Sequence, residues 1–177
     1  MTIDMNDTAA AAEGARTERD PRATERVGTI TNDHAGVVRR PRPVPTRLTN
    51  GFWAAAARRE LGIQRCRACG RRFHPPVPVC SRCHSEDLGF EPVSGRGTIH
   101  SLTVMTEALV PGFEPALPLI VVAVELDEQE GLVVVSNLVG DHGPGARIGA
   151  RVEVAFERLP DDGGLLPQFR VGEGATA

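Results

Sequence analysis

All four cysteines of this 177-residue chain fall within residues 66–83, "CRACGRRFHPPVPVCSRC", in the pattern C-x2-C-x10-C-x2-C. Each C-x2-C pair lets two thiolates reach one ion from a tight turn, and two such knuckles complete a tetrahedron. Gly70 follows the first pair, where the knuckle favours positive φ without a Cβ. His84 stands at the matching place after the second pair, a departure that weakens the ideal knuckle. Paired cysteines at this spacing in a reducing compartment read as a metal site before they read as disulfides. A redox iron site needs an apolar, aromatic shell; here Arg65, Arg67, Arg71, Arg72 and Arg82 surround the cysteines and Phe73 is the one aromatic inside the segment. Zinc is therefore expected, bound by Cys66, Cys69, Cys80 and Cys83. With sulfur in all four positions no site stays open for water or substrate, so the expected role is structural. His74 and His84 are expected at the surface rather than on the metal.

Composition narrows the chemistry. All twenty basic side chains are arginine and there is no tyrosine, which excludes a Schiff-base lysine or a tyrosine general acid from this chain. The 41% hydrophobic and 24% charged residues suit a globular protein. No run of eighteen apolar residues is present, and "MTIDMNDTAAAAEGARTERD" lacks an apolar h-region. A cytoplasmic location is the resulting expectation, with no membrane partner.

The pattern divides the chain into a disordered tail with a proline-rich linker (1–46), a helix plus zinc ribbon (47–89), a barrel (90–171) and a disordered end (172–177). The tail has no aromatic residue and balances seven arginines against seven acids, so it buries too little to offset its ordering entropy. In "TNGFWAAAARRELGIQRC", Thr49 or Asn50 is expected to cap a helix and Gly62 to end it. Phe52 and Trp53 are its bulky anchors, Trp53 by expectation packed in the core. Five runs rich in β-branched residues follow, at 95–105, 117–126, 131–140, 150–159 and 165–171, each bounded by Gly, Pro or Asp. "DEQEG" is expected to turn a hairpin between the second and third, and "PDDGG" to connect the last two. Five short strands in such a length suit a small closed barrel of OB type. The fold class is thus mainly β: a helix and a rubredoxin-like zinc ribbon, then a five-stranded OB-fold barrel.

An OB barrel beside a zinc ribbon raises the possibility of a nucleic-acid module, and charge argues against it. Residues 46–89 carry eight arginines and three acids, whereas residues 90–171 carry five arginines against twelve acids. Single strands require a positive groove with aromatic platforms, which an acidic barrel does not offer. Arginines can grip phosphate bidentately, so Arg65, Arg71 and Arg72 are candidates for the phosphates of a nucleotide-like cofactor. His100 and His142 have no nucleophile or paired carboxylate at a recognisable spacing, and no catalytic residue is assigned. A stand-alone enzyme such as a thioesterase or lyase, which would need one of them or a scattered acid as base, is the alternative from the enzyme class. In the connection "TEALVPGFEPALP" (106–118), Leu109, Phe113 and Leu117 are candidates for a docking surface or the wall of an acyl channel.

The order of "FW" helix, "QRCRACG", the spacer "FHPPVPVC", a second knuckle, "VSGRGTIHSLTV" and "IGARVEVAF" resembles one family over residues 50–171. It is the zinc-ribbon OB-fold family, long a domain of unknown function, that accompanies thiolase-like enzymes. The resemblance implies an accessory subunit that binds a thiolase-like or ketosynthase-like chain acting on acyl-CoA. Some members accompany aldolases that cleave the side chains of steroid-CoA thioesters; others serve acyltransferases. Catalytic residues would then belong chiefly to the partner.

Overall fold

In a computed structural model, residues 41–114, 117–140, 145–160 and 163–172 are described. The tail up to residue 40, His142 with most of its "GDHG" loop, Asp161 and Asp162 of "PDDGG", and residues 173–177 lie outside them. Among the described residues, one helix and eight strands run in the order α1 (Asn50–Ala57), β1 (Leu61–Cys66), β2 (Arg72–Phe73), β3 (Leu88–Val93), β4 (Arg96–Met105), β5 (Leu119–Leu126), β6 (Val133–Leu138), β7 (Arg151–Arg158) and β8 (Leu165–Val171). No helix among the described residues is long and apolar enough to cross a membrane.

The alanine run makes α1 short but favourable. Thr49 stands at its N-cap without a side-chain capping bond; its Oγ1 instead accepts from the backbone N–H of Thr46 at 2.9 Å. The helix ends at Arg58, and Arg59 takes the left-handed turn at φ 60°. Gly62 does not end the helix: it lies inside β1, where a Cβ would stand 2.5 Å from the Ala55 Cβ of α1. Its missing side chain lets helix and strand touch.

β1 is the centre of a three-stranded antiparallel sheet, β2-β1-β3. The remaining strands close a barrel in the order β4-β5-β6-β8-β7. All its contacts are antiparallel except β6 with β8, which meet in parallel at Leu138 and Phe169. Numbered within the barrel, that order is first, second, third, fifth, fourth, the Greek-key closure of an OB fold. The five expected strand runs are the five barrel strands.

Sheet and barrel share one core. Leu61 and Ile63 of β1 are buried in the same cluster as Ile99, Val122, Val124 and Phe169 of the barrel, with Phe52 and Val93 packed against it. The described residues accordingly belong to one compact unit. The β5–β6 turn adds polar clasps. Gln129 accepts from the Arg72 N–H at 2.8 Å and donates to the Arg72 carbonyl at 3.2 Å, while Glu128 accepts from the Ser94 N–H at 2.7 Å.

Candidate metal centre and its surroundings

The two knuckles repeat one backbone pattern. Cys66 ends β1; its N–H donates to the Arg71 carbonyl at 2.8 Å, and its carbonyl accepts from Gly70 at 2.8 Å. Cys80 donates to Ser85 at 3.0 Å and accepts from His84 at 2.9 Å. Gly70 takes φ 78° and His84 takes φ 58°, so histidine adopts the left-handed conformation that glycine supplies in the first knuckle. Between the knuckles the spacer is fixed by buried Gln64, whose side-chain amide pairs with both backbone groups of Val77, at 3.0 and 2.8 Å.

All four sulfur atoms lie within 4.8 Å of one another, with Cys66–Cys83 and Cys69–Cys80 each at 3.6 Å. A disulfide would bring sulfurs to about 2.05 Å. A tetrahedron with Zn–S bonds of about 2.3 Å has edges of about 3.8 Å. The tetrad therefore fits a four-thiolate ion. Burial pushes the Cys80 thiol up, but backbone N–H groups of Cys83 and Arg82 outweigh it and bring the group down to about 6. Cys66 is likewise lowered: burial opposes, and the Cys69 and Ala68 backbone with the Cys83 side chain prevail. At Cys83 the Ser85 N–H favours the thiolate, yet burial and the three neighbouring sulfurs raise it to about 12. Protons on such a cluster are shared, and a divalent cation displaces them together.

The arginines around the tetrad are not equivalent. Arg65 bonds Glu91 at 3.2 Å and the Gly70 carbonyl at 3.2 Å, and Arg72 approaches the same Glu91 at 3.9 Å. Arg67 pairs with Asp87. Arg71 is exposed and forms no ion pair among the described residues. Two of the three phosphate candidates thus already share one carboxylate.

His74 is not a surface residue. It is half-buried, its ring 5.3 Å from that of Phe52, which meets Trp53 edge-on at 5.0 Å. These rings and Pro75 form one wall of a cavity of about 250 Å³, and Val134 and Leu166 of the barrel form the other. Trp53 is half-buried on this wall rather than within the core. Burial holds the His74 imidazolium below the usual histidine range. His100 is exposed, its Nδ1 4.0 Å from Glu125. In the β4–β5 loop, Leu109 and Val110 are 80% and 44% exposed, whereas Phe113 and Leu117 are half-buried. The cavity and the Gln129 clasp escape a reading of the sequence because both join segments far apart in the chain, 57 residues in the case of the clasp.

Residues 53–89 match the model of the ChsH2 rubredoxin-like zinc ribbon domain, and residues 90–157 that of the ChsH2 C-terminal OB-fold domain. With its donor set, the tetrad is a structural zinc site. Over 133 residues the chain is 41% identical to a probable enoyl-CoA hydratase alpha subunit of Thermomonospora curvata, covering 74% of this chain and 40% of that protein. It is 35% identical to the 3-oxo-4,17-pregnadiene-20-carboxyl-CoA hydratase alpha subunit of Mycobacterium tuberculosis, covering 68% of this chain and 37% of that one. A DUF35 domain-containing scaffold protein of Methanocaldococcus jannaschii is 30% identical, covering 58% of this chain and 71% of its own length. Among solved structures, a chain of the Ltp2-ChsH2(DUF35) aldolase superposes with a TM-score of 0.65 at 37% identity, over 73% of this chain and 98% of that one.

Proposed function

This chain belongs to the DUF35 family, with the zinc ribbon and OB-fold barrel of ChsH2, and on that premise we propose that it is an accessory, non-catalytic subunit of a thiolase-like enzyme acting on acyl-CoA thioesters. The observation that carries the proposal is the likeness to the ChsH2(DUF35) aldolase chain, which this protein covers almost end to end. The chemistry of the site agrees with it. A tetrad filled by sulfur organises backbone rather than activating water. Reaction steps would fall to the partner, a thiolase-like aldolase or acyltransferase, with steroid side-chain acyl-CoA as the substrate class suggested by the mycobacterial relative. The hydratase activity named for the two longer relatives is not carried over, since the matched stretch is well under half of each.

Within this reading the barrel docks on the partner and the ribbon lies near the CoA entrance. Arg71 is the phosphate contact of first choice, because Arg65 and Arg72 are engaged with Glu91. Leu109 supplies an exposed apolar contact, with the half-buried Phe113 and Leu117 further along the same loop. The location that goes with such a partner is the cytoplasm.

Co-expression with an Ltp2 aldolase subunit tests the proposal. Co-purification and a gain in acyl-CoA cleavage are expected. Absence of both would overturn it, and turnover of acyl-CoA by the isolated chain would establish a stand-alone enzyme instead.

A further inference from the structure

We infer that the outer edge of β4 at Leu102 and Val104 is a docking edge that receives an extended, neutral-to-basic strand of the thiolase-like partner by β-strand addition. The inference deepens the function proposed above and rests on it.

The backbone of β4 changes the direction of its hydrogen bonds midway. In its first half the odd-numbered residues turn towards β7 and the segment before it. The Gly95 carbonyl accepts from Val154 at 2.8 Å, and Ile99 bonds Ala150 and Gly149 at 2.9 and 2.8 Å. The even-numbered residues turn to the other side, where the Arg96 carbonyl accepts from Asp127 at 3.1 Å. At His100 one extra residue enters, and pairing shifts from Ile99 opposite Val124 to Ser101 opposite Ala123. A single inserted residue reverses the parity. Beyond it Ser101, Thr103 and Met105 bond β5, and Leu102 and Val104 aim N–H and C=O outward.

Nothing described meets those groups. Pairing of β4 with β7 stops at Thr98, and among the described residues no backbone hydrogen bond other than those of β5 reaches residues 101–105. Val104 is 51% exposed, and Leu109 and Val110 in the loop that follows β4 are 80% and 44% exposed. Backbone N–H and C=O groups require partners, and an open edge is a template for a strand. Proteins usually guard such edges with lysine, proline or charge, and "SLTVM" has none of these. Main-chain bonds would supply affinity, and the neighbouring apolar residues would select the side chains of the incoming strand.

Charge decides the occupant. Residues 90–171 hold twelve acids and five arginines, so edge-to-edge pairing of two copies would set two acidic barrels side by side. A different protein, with a strand that is neutral or flanked by basic residues, avoids that repulsion.

The test uses the full chain and an Ltp2 subunit. V104P removes an outward N–H and leaves the ladder to β5 intact, whereas V104A trims the side chain and keeps the N–H. V104P is expected to weaken the complex about tenfold or more, and V104A by less than about threefold, a loss of backbone bonding rather than of apolar contact. In the wild-type complex, exchange of the Leu102 and Val104 amides should slow about tenfold or more, which decides the matter even if V104P fails to fold. Equal binding by V104P, or equal loss in V104A and V104P, would overturn the docking edge while leaving the function standing. A wild-type chain that does not bind Ltp2 would overturn both. Dimers of the wild-type chain in sedimentation that V104P abolishes would assign the edge to a second copy and overturn the partner strand.

Discussion

His84 holds a backbone conformation that favours glycine, at φ 58°, because the second knuckle must return a hydrogen bond to Cys80 as the first returns one to Cys66. Left-handed geometry costs an L-residue about 1–2 kcal/mol, and glycine loses about 0.5–1 kcal/mol in unfolded-state entropy. His84→Gly should therefore be stabilising by about 0.5–1 kcal/mol, read as a higher Tm of the zinc-loaded protein. The departure from the usual knuckle is strain, accommodated without loss of shape. His74 gives a pH signature. Its imidazolium is disfavoured by burial, so the folded pKa lies below the unfolded one. The unfolded state then binds more protons between the two values, and stability present above about pH 6.5 is lost as pH falls below it. His74→Phe keeps a ring against Phe52 and removes the titration. Urea midpoints measured down from neutral pH should fall less steeply in the variant than in the wild type.

The elements differ in how far the sequence announces them. Each barrel strand is a β-branched run ended by glycine, proline or a turn, and the observed strands start and stop within two residues of those runs. The ribbon strands carry no such signal. β2 has two residues, β3 contains Pro92, and β1 reads "LGIQRC", which continues a helical stretch as readily as it starts a strand. Pairing with neighbours, not propensity, makes these strands. Gly62 shows the consequence: it resembles a helix terminator by position and is in fact a contact point between α1 and β1. Gly62→Ala should push the helix off the strand and cost about 1–3 kcal/mol, as overpacking does, which calorimetry would register as a lower Tm. The cysteine tetrad is legible because spacing alone encodes its geometry, whereas the arginines of the ribbon are not, since Glu91 arrives from another strand. In the β4–β5 loop, Phe113→Asp separates docking from packing. If Phe113 serves the interface, Tm holds while association with an Ltp2 subunit drops; if it closes the barrel end, Tm falls by several degrees and the folded fraction still binds.

At the scale of the whole molecule, zinc stabilises more than the ribbon. Leu61 and Ile63 sit in the barrel's own core, so a melted ribbon would uncover Ile99, Val122 and Phe169. Structural zinc contributes on the order of 10–16 kcal/mol in small modules, comparable with the whole stability of an ordinary domain, about 5–15 kcal/mol. Chelation, or Cys69→Ser, should accordingly abolish bound zinc and accelerate amide exchange in β5 as well as β1; unchanged exchange in β5 would show that the barrel stands alone. Acid should act in the same direction, because protons compete with the metal for the thiolates. The Gln129 clasp has a consequence for how such a chain tolerates change. It grips the main chain of residue 72 and ignores the side chain there. Substitutions at position 72 other than proline, which would remove the donating N–H, can thus drift freely as far as this contact is concerned, while an insertion in the β5–β6 turn would move the amide out of reach. Turn length, more than any residue identity in β2, governs whether ribbon and barrel stay in step.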